Sequence, residues 1–199
     1  LRKVSPEMKA LIRRVGPCGL LVVARPPFQA LVSAIAHQQL HAKAAGNILA
    51  RLYAIFGGRL PYPEDFAALT EEHFRSVGFS RAKAAALRDL ADKCLAGIVP
   101  TLEEAAAMPD QELIERISQV RGIGKWTVEM MLMTTLGRQD VWPVDDFGVR
   151  AGWKALYGLA VAPTPKQLDA AGEIFRPYRS TAAWYLWRAA ELGKTPKLA

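Results

Sequence analysis

The stretch from Gln119 to Arg150 constrains the fold more than any other part of the sequence. It opens with Val-Arg-Gly-Ile-Gly, in which Gly122 and Gly124 precede a long apolar run. Because glycine permits positive φ and close approach of other backbone, this pentapeptide predicts a tight turn between two helices. The second helix is expected to begin at Lys125 and to end near residue 137. Since it is apolar nearly all round, it is expected to lie in the core.

The segments on either side of this helix suggest chemistry. The first N–H groups of a helix have no partner within it, so the turn before Lys125 predicts an anion site, with phosphate as the obvious guest. After the helix, Val-Trp-Pro-Val leads to Asp145 and Asp146 at the expected start of another helix.

The remainder of the chain reads as helical, with almost no strand alternation. Phe28, Leu31, Val32 and Ile35 have helical spacing, and Thr101 and Thr164 begin capping boxes. The predicted helices span about 6–15, 28–38, 41–56, 70–76, 81–95, 110–118 and 178–192. These patterns predict an all-α fold.

Charge and composition limit the possible partners. The net charge is +7, and Glu7 is the only acidic residue before Glu64, which favours a polyanionic partner. Many basic proteins bind no nucleic acid, so charge alone is weak support. No apolar run is long enough to span a membrane and no signal pattern opens the chain, so neither a membrane partner nor export is expected. Cys18 and Cys94 could in principle form a disulfide, but buried free thiols in a reducing compartment are expected.

The strings GIGKWT and PVDDFGV together carry a family resemblance. They resemble the helix-hairpin-helix (HhH-GPD) DNA glycosylase superfamily, and within it the 3-methyladenine DNA glycosylase II (AlkA-type) branch, in a compact form without the N-terminal β domain. The resemblance implies two helical lobes with a cleft between them. One lobe is expected to span 28–138, with the helix-hairpin-helix at about 110–136, and the other 1–27 plus 139–199.

The resemblance also implies an activity. The expected enzyme is a monofunctional DNA glycosylase of base excision repair, which hydrolyses the N-glycosidic bond of alkylated bases (3-methyladenine, 7-methylguanine) flipped out of duplex DNA and leaves an abasic site. Two alternatives are a glycosylase for another lesion class and a non-catalytic helix-hairpin-helix DNA-binding protein. The second is disfavoured because a carboxylate near DNA costs affinity.

Asp146 is the predicted catalytic residue, because the resemblance places the catalytic aspartate at the second residue of the pair. Cleavage of an N-glycosidic bond leaves positive charge on the sugar, which a fixed carboxylate stabilises. The alternative is that both aspartates only cap the helix. One of the pair is expected to cap, and Asp145 is assigned the supporting role.

Trp126 distinguishes hydrolysis from lyase chemistry. Lyase-type relatives have a nucleophilic lysine at this position, whereas here the lysine is Lys125, which points about 100° away on a helix. The resemblance therefore implies water as the nucleophile. Trp126 itself is read either as core packing or as a wall of the base pocket.

Large apolar residues, most of them aromatic, supply the expected base pocket. Trp187 matches the position that stacks on the extruded base, and an indole face favours a cationic purine. Phe28 and Met130 are weaker candidates for the same pocket, and Trp184 is assigned to the core.

The segment Ile35 to His41 resembles the family's wedge loop. Gln39 is expected to fill the gap left by the flipped nucleotide, and His41 to contact the minor groove or a phosphate. One alternative is a zinc site at His37 and His41, disfavoured because Gln38 replaces the glutamate that zincins need. The other is that Gln39 and His41 only satisfy a helix end.

The hairpin is expected to hold a DNA phosphate through the main-chain N–H groups of Gly122 and Gly124 and through Thr127, with charge from Lys125. The resemblance implies a monovalent cation, sodium or potassium, on main-chain carbonyls beneath the hairpin; the matching residues are Ser118, Val120 and Ile123. Arg81 and Lys83 could also contact the DNA backbone, although such residues are more commonly solvated charges on the protein surface.

No cofactor is required by this interpretation, and two cysteines exclude a four-cysteine iron–sulfur cluster. The expected partner is double-stranded DNA containing alkylated bases, bound by a monomer. The expected location is the cytoplasm and nucleoid in a bacterium, or the nucleus in a eukaryote.

Overall fold

Side-chain caps begin many of the helices. In a computed structural model, which describes residues 1–194, Ser5, Ser80, Thr101 and Thr164 each accept a hydrogen bond from the main-chain N–H three residues on. The α-helices are α1 (Pro6–Val15), α2 (Pro27–His37), α3 (Ala42–Ile55), α4 (Glu71–Val77), α5 (Arg81–Leu95), α6 (Leu102–Ala107), α7 (Asp110–Ile117), α8 (Lys125–Thr134), α9 (Phe147–Tyr157), α10 (Pro165–Gly172) and α11 (Arg179–Lys194).

Two short 3-10 helices, Pro63–Ala68 and Glu173–Phe175, complete the regular structure of the described residues, which contain no strand. The all-α prediction is therefore confirmed. The 3-10 helices were not predicted, because each is too short to show a hydrophobic period. No helix within residues 1–194 has both the length and the apolar character needed to cross a bilayer.

The chain divides into two compact units. Residues 23–131 form the hairpin unit, and residues 1–22 with residues 132–194 form the terminal unit. The lobe boundaries expected from the sequence, at 28 and 138, lie several residues further along the chain than these.

The core of the hairpin unit is built on the apolar stripe of α2. Phe28, Leu31, Val32 and Ile35 are all buried, and α2 packs against α5. The ring of Phe28 meets that of Phe66 edge to face, with centroids 5.3 Å apart. Such aromatic pairs add to the free energy gained by burying their area.

Helix α8 is less uniformly buried than its composition predicts. Val128, Met131, Leu132 and Met133 are buried, but Trp126 is 46% exposed. The interpretation of Trp126 as core packing is therefore wrong. The first turn of the helix leaves its indole outside the core.

In the terminal unit, α9 packs closely against α11. A Cβ on Gly152 would overlap the main-chain carbonyl of Leu186, so only glycine permits this approach. Trp184, assigned to the core from the sequence, is half-buried and meets Tyr185 edge to face at 4.9 Å between centroids.

Candidate active site and DNA-contacting segments

Asp146 is the residue from which α9 begins. Its Oδ1 accepts a hydrogen bond from the main-chain N–H of Val149 at 2.7 Å, and the residue is only 7% exposed. Asp145, next to it, is exposed. Asp146 is thus both the N-cap of α9 and the predicted catalytic residue. Asp145, which was assigned the supporting role, is not the N-cap.

Trp187 lies against Asp146. The indole Nε1–H of Trp187 donates to Oδ1 of Asp146 at 2.9 Å, although 41 residues separate the two in the chain. Two donors therefore converge on one carboxylate oxygen, which fixes the orientation of the carboxylate. The structure brings together the two residues that the sequence had assigned to separate roles, catalysis and base stacking.

Gly148 makes this contact possible, and sequence reasoning missed it. A Cβ at Gly148 would lie 2.8 Å from Cδ1 of Trp187 and 3.1 Å from Oδ1 of Asp146, too close for either to stay in place. The available signal was a glycine in the first turn of a helix, where it costs stability relative to alanine. Phe147, beside it, is 77% exposed.

The remaining base-pocket candidates belong to the hairpin unit. Trp126 and the half-buried Met130 are one turn apart on α8, so they share a face of that helix. Phe28 does not fit its predicted role. It is 4% exposed and its ring packs on Phe66, so the structure places it in the core.

The hairpin turn has the predicted conformation. Gly122 has φ of 77°, and the N–H of Ile123 donates to the carbonyl of Val120 at 3.0 Å. Among residues 1–194, no acceptor is hydrogen-bonded to the main-chain N–H of Gly122 or Gly124. Two donors therefore remain for an anion at this turn.

Thr127 and Lys125, the other predicted phosphate contacts, both have partners within the protein. The N–H of Thr127 donates to the carbonyl of Gly124 at 2.9 Å, and its side chain is buried. The Lys125 ammonium is half exposed and lies 3.5 Å from a carboxylate oxygen of Glu129. Its charge is therefore partly offset within the helix.

Asp89 of α5 supports the hairpin, a role not predicted from the sequence. One carboxylate oxygen accepts from the main-chain N–H of Arg121 at 2.6 Å and the other from the Lys93 ammonium at 2.5 Å. Burial alone raises the pKa of Asp89, but the hydrogen bonds from Lys93 and Arg121 outweigh it and hold that pKa below its ordinary value.

The segment 35–41, predicted as the wedge loop, comprises the last residues of α2 and the four-residue connection 38–41 to α3, and the name wedge loop is used below for 38–41. Gln39 is exposed at φ of 57°, a left-handed conformation that is uncommon outside glycine. His41 is exposed and directly precedes α3. His37, the other residue of the zinc alternative, is hydrogen-bonded through Nδ1 to the carbonyl of Ser33 at 2.8 Å.

Lys83 is neither a solvated charge nor a free contact for DNA. Its ammonium donates to the carbonyl oxygens of Ala36 at 2.8 Å and Gln38 at 2.7 Å, at the end of α2. Burial lowers the pKa of Lys83. Arg81, in contrast, is exposed as predicted.

The carbonyls proposed for a cation lie at the end of α7 and in the turn that follows. Val120 already accepts one hydrogen bond, from Ile123, and a carbonyl oxygen has a second lone pair. The hydroxyl oxygen of Ser118 is buried and has no hydrogen-bond partner within the described part of the chain. An orphaned oxygen at this point fits a nearby cation.

Comparison with known proteins agrees with this arrangement. Residues 32–177 match the family described as HhH-GPD superfamily base excision DNA repair protein. DNA-3-methyladenine glycosylase 1 of Schizosaccharomyces pombe is 41% identical over 174 residues, which cover 87% of this chain and 76% of that protein.

Solved structures match over nearly the whole chain. The structure of Schizosaccharomyces pombe 3-methyladenine DNA glycosylase (Mag1) in complex with abasic DNA has a TM-score of 0.88 at 39% identity, covering 98% of this chain and 97% of that one. A DNA-3-methyladenine glycosidase from Bacillus halodurans has a TM-score of 0.80 at 34% identity, with coverages of 94% and 89%. The hairpin, the aspartate at a helix start and these matches together show that the chain belongs to the HhH-GPD superfamily of base excision DNA repair proteins.

Proposed function

We propose that this chain is a monofunctional DNA glycosylase that excises alkylated bases, first 3-methyladenine and 7-methylguanine, from duplex DNA and leaves an abasic site. The observation that carries the proposal is the Asp146 carboxylate, oriented by the N–H of Val149 and the indole of Trp187. Support comes from the names of the relatives, which are 3-methyladenine glycosylases, and from the abasic DNA bound to one of them.

The chemistry follows from the bond that breaks. The target nucleotide must first leave the stack, because the glycosidic bond is inaccessible within it. As the base departs, the sugar becomes cationic. A carboxylate with a fixed orientation stabilises that charge without having to reorganise, and it can orient the attacking water.

Water is the proposed nucleophile because the chain lacks a lysine where lyases have one. Trp126 stands at that position, and adjacent residues on a helix point about 100° apart. Lys125 is also engaged by Glu129 on the following turn. No imine with the sugar is therefore expected.

The first test is excision from methylated duplex DNA by the purified protein. Asp146→Asn should lower the rate by about 10²–10³-fold and leave DNA binding intact. Asparagine caps helices as well as aspartate does, so this change should not unfold α9. Asp145→Asn is the matched control and should stay near the wild-type rate. Wild-type activity in the Asp146→Asn variant would refute the catalytic assignment.

The second test concerns the mode of cleavage. Product strands should carry intact abasic sites, and borohydride should trap no covalent adduct between protein and DNA. A trapped adduct would show that an amine attacks the sugar, against the monofunctional proposal.

We also propose that a sodium or potassium ion can bind at the carbonyls of Ser118, Val120 and Ile123 and offset their repulsion of a DNA phosphate. At constant ionic strength, replacing potassium by tetramethylammonium should weaken binding to abasic DNA. Equal binding in the two salts would contradict a role for the ion.

A further inference from the structure

The wedge loop holds Gln39 in a conformation that needs support. Its φ of 57° lies in the left-handed region, and the residue is exposed. Non-glycine residues persist there only when their surroundings enforce it. The main-chain N–H of Leu40 donates to the carbonyl of His37 at 3.2 Å, which closes the turn but does not by itself fix the peptide before Gln39.

Lys83 supplies the missing restraint. Its ammonium bridges the carbonyl of Ala36, in the last turn of α2, and the carbonyl of Gln38. The Gln38 oxygen belongs to the peptide bond that joins Gln38 to Gln39, and the orientation of that peptide sets φ of Gln39. A cation is also favoured at the carbonyl end of a helix.

The side chain of Gln38 connects the same loop to the hairpin. Its Nε2 donates to the carbonyl of Gly122 at 2.9 Å, across 84 residues of sequence. On α5, Asp89 holds the N–H of Arg121, the residue before Gly122. Lys83 and Asp89 are six residues apart on α5, so one helix anchors both the wedge loop and the hairpin.

We propose that Lys83 is a positioning residue for base extrusion, which holds the Gln38–Gln39 peptide so that the wedge loop and the hairpin act as one body. The inference rests on the proposed function, because base extrusion serves excision. Its test measures extrusion of the base, whereas the proposed function is tested by excision. Lys83 acts through Gln39 and is not expected to touch the departing base.

The experiment follows unstacking with 2-aminopurine, mismatched at the target position of a duplex, whose fluorescence rises as it leaves the stack. Lys83→Met should lose most of the rise given by the wild-type protein, as should Gln39→Ala. Affinity for undamaged duplex should stay within about twofold, because no phosphate contact is removed. Lys83→Arg, which keeps charge and donors, should restore the signal. Lys9→Met, which removes an exposed charge from α1, is the control.

Two further measurements separate positioning from other roles. If Lys83 works through Gln39, the double variant Lys83→Met with Gln39→Ala should extrude no worse than Gln39→Ala alone. Excision from single-stranded DNA, where the base is already unstacked, should fall much less than excision from duplex. Gln38→Met keeps the Lys83 bridge but removes the hydrogen bond to the carbonyl of Gly122, and it should also reduce extrusion. This variant replaces Lys83→Met as the test if thermal unfolding shows that Lys83→Met is poorly folded.

Several outcomes would overturn the inference. Additive losses in the double variant, or weaker binding of undamaged duplex with a shallower salt dependence, would make Lys83 a phosphate contact. An unchanged fluorescence rise in Lys83→Met and Gln38→Met would make the bridge merely structural. The absence of a fluorescence rise with the wild-type protein would also overturn the inference. Failure of the proposed activity would be seen separately, as the absence of released methylpurine.

Discussion

Asp146 combines a structural and a chemical role in one oxygen atom. Oδ1 accepts the capping hydrogen bond from the N–H of Val149 at the start of α9, and it also accepts one from the indole N–H of Trp187. Because the same atom serves both contacts, the carboxylate cannot turn without loss of the helix cap. An orientation fixed in advance is what electrostatic stabilisation of a transition state requires.

Trp187→Phe tests the indole donor separately from the aromatic face. The phenyl ring can still stack on a base but cannot donate to Asp146. Hydrogen bonds to charged groups are worth about 1.5–3 kcal/mol, so single-turnover excision should fall by about ten- to a hundredfold. Trp184→Phe, on the same helix, is the control and should have little effect. Equal losses in the two variants would point to a general disturbance of α11.

Gly148→Ala should displace both partners of this contact. The added Cβ would stand 2.8 Å from the Trp187 ring and 3.1 Å from Oδ1 of Asp146. A displacement on the order of 1 Å at a reacting group costs about 10²-fold in rate, so excision should fall by about that factor.

The matched control for Gly148 is Gly46→Ala on α3, where an added Cβ meets no atom of residues 1–194 within 4 Å. It should stabilise the fold by about 1 kcal/mol, as alanine does in a helix interior. Thermal unfolding and excision are measured for both variants. A Gly148→Ala enzyme with full activity would show that Asp146 tolerates a different placement.

At the level of elements, α5 is the support of the hairpin. Asp89 accepts from Arg121 N–H, and its pKa lies below the ordinary value despite the opposing effect of burial. A carboxylate with a depressed folded-state pKa contributes stability above its unfolded-state pKa of about 3.9. That contribution is lost as the pH falls through the folded-state pKa.

The acid limb of the stability curve should therefore depend on Asp89. Asp89→Asn should lower the free energy of unfolding at neutral pH and flatten its decline below about pH 4. Asp92→Asn, an exposed site on the same helix, is the control. Urea denaturation across pH gives the comparison, and identical pH profiles for wild type and Asp89→Asn would contradict the prediction.

Local signals in the sequence placed the helices well. Ser5, Thr101 and Thr164 cap helices where the sequence predicts them, and Gly122 adopts the expected positive φ. These signals act over a few residues, so no knowledge of tertiary structure is needed to read them. The predicted beginning of α9 at the aspartate pair rests on the same kind of signal.

Contacts between residues far apart in the chain could not be predicted from the sequence. The bond from Trp187 to Asp146 and the bridge from Lys83 to Ala36 and Gln38 join residues far apart in the chain. Phe28 illustrates the opposite error: an aromatic residue at helical spacing carries no mark that separates a pocket wall from core. Only the packing of elements decides such cases.

At the scale of the whole molecule, charge determines how binding responds to salt. The net charge is +7, and a protein that neutralises several phosphates loses affinity steeply as salt rises. Lys125→Gln should reduce the slope of log K against log salt by about one, with little change between DNA sequences. Lys154→Gln, exposed on α9, should leave the slope unchanged.

A smaller effect at Lys125 is also informative. If Glu129 keeps the ammonium from the phosphate, the slope will not change, and the hairpin must hold the phosphate through its main-chain N–H donors without the Lys125 charge. Titration by fluorescence anisotropy at several salt concentrations makes the distinction.

Gly152 takes no part in the chemistry, but the packing of the helices that carry the site depends on it. Helices α9 and α11 meet there with no space for a methyl group, and this register sets how far the start of α9 lies from Trp187. A screen of random variants for loss of repair should therefore recover changes at buried Gly152 as well as at Asp146. Sensitivity to alkylating agents could be inherited through a residue that bears no functional group at all.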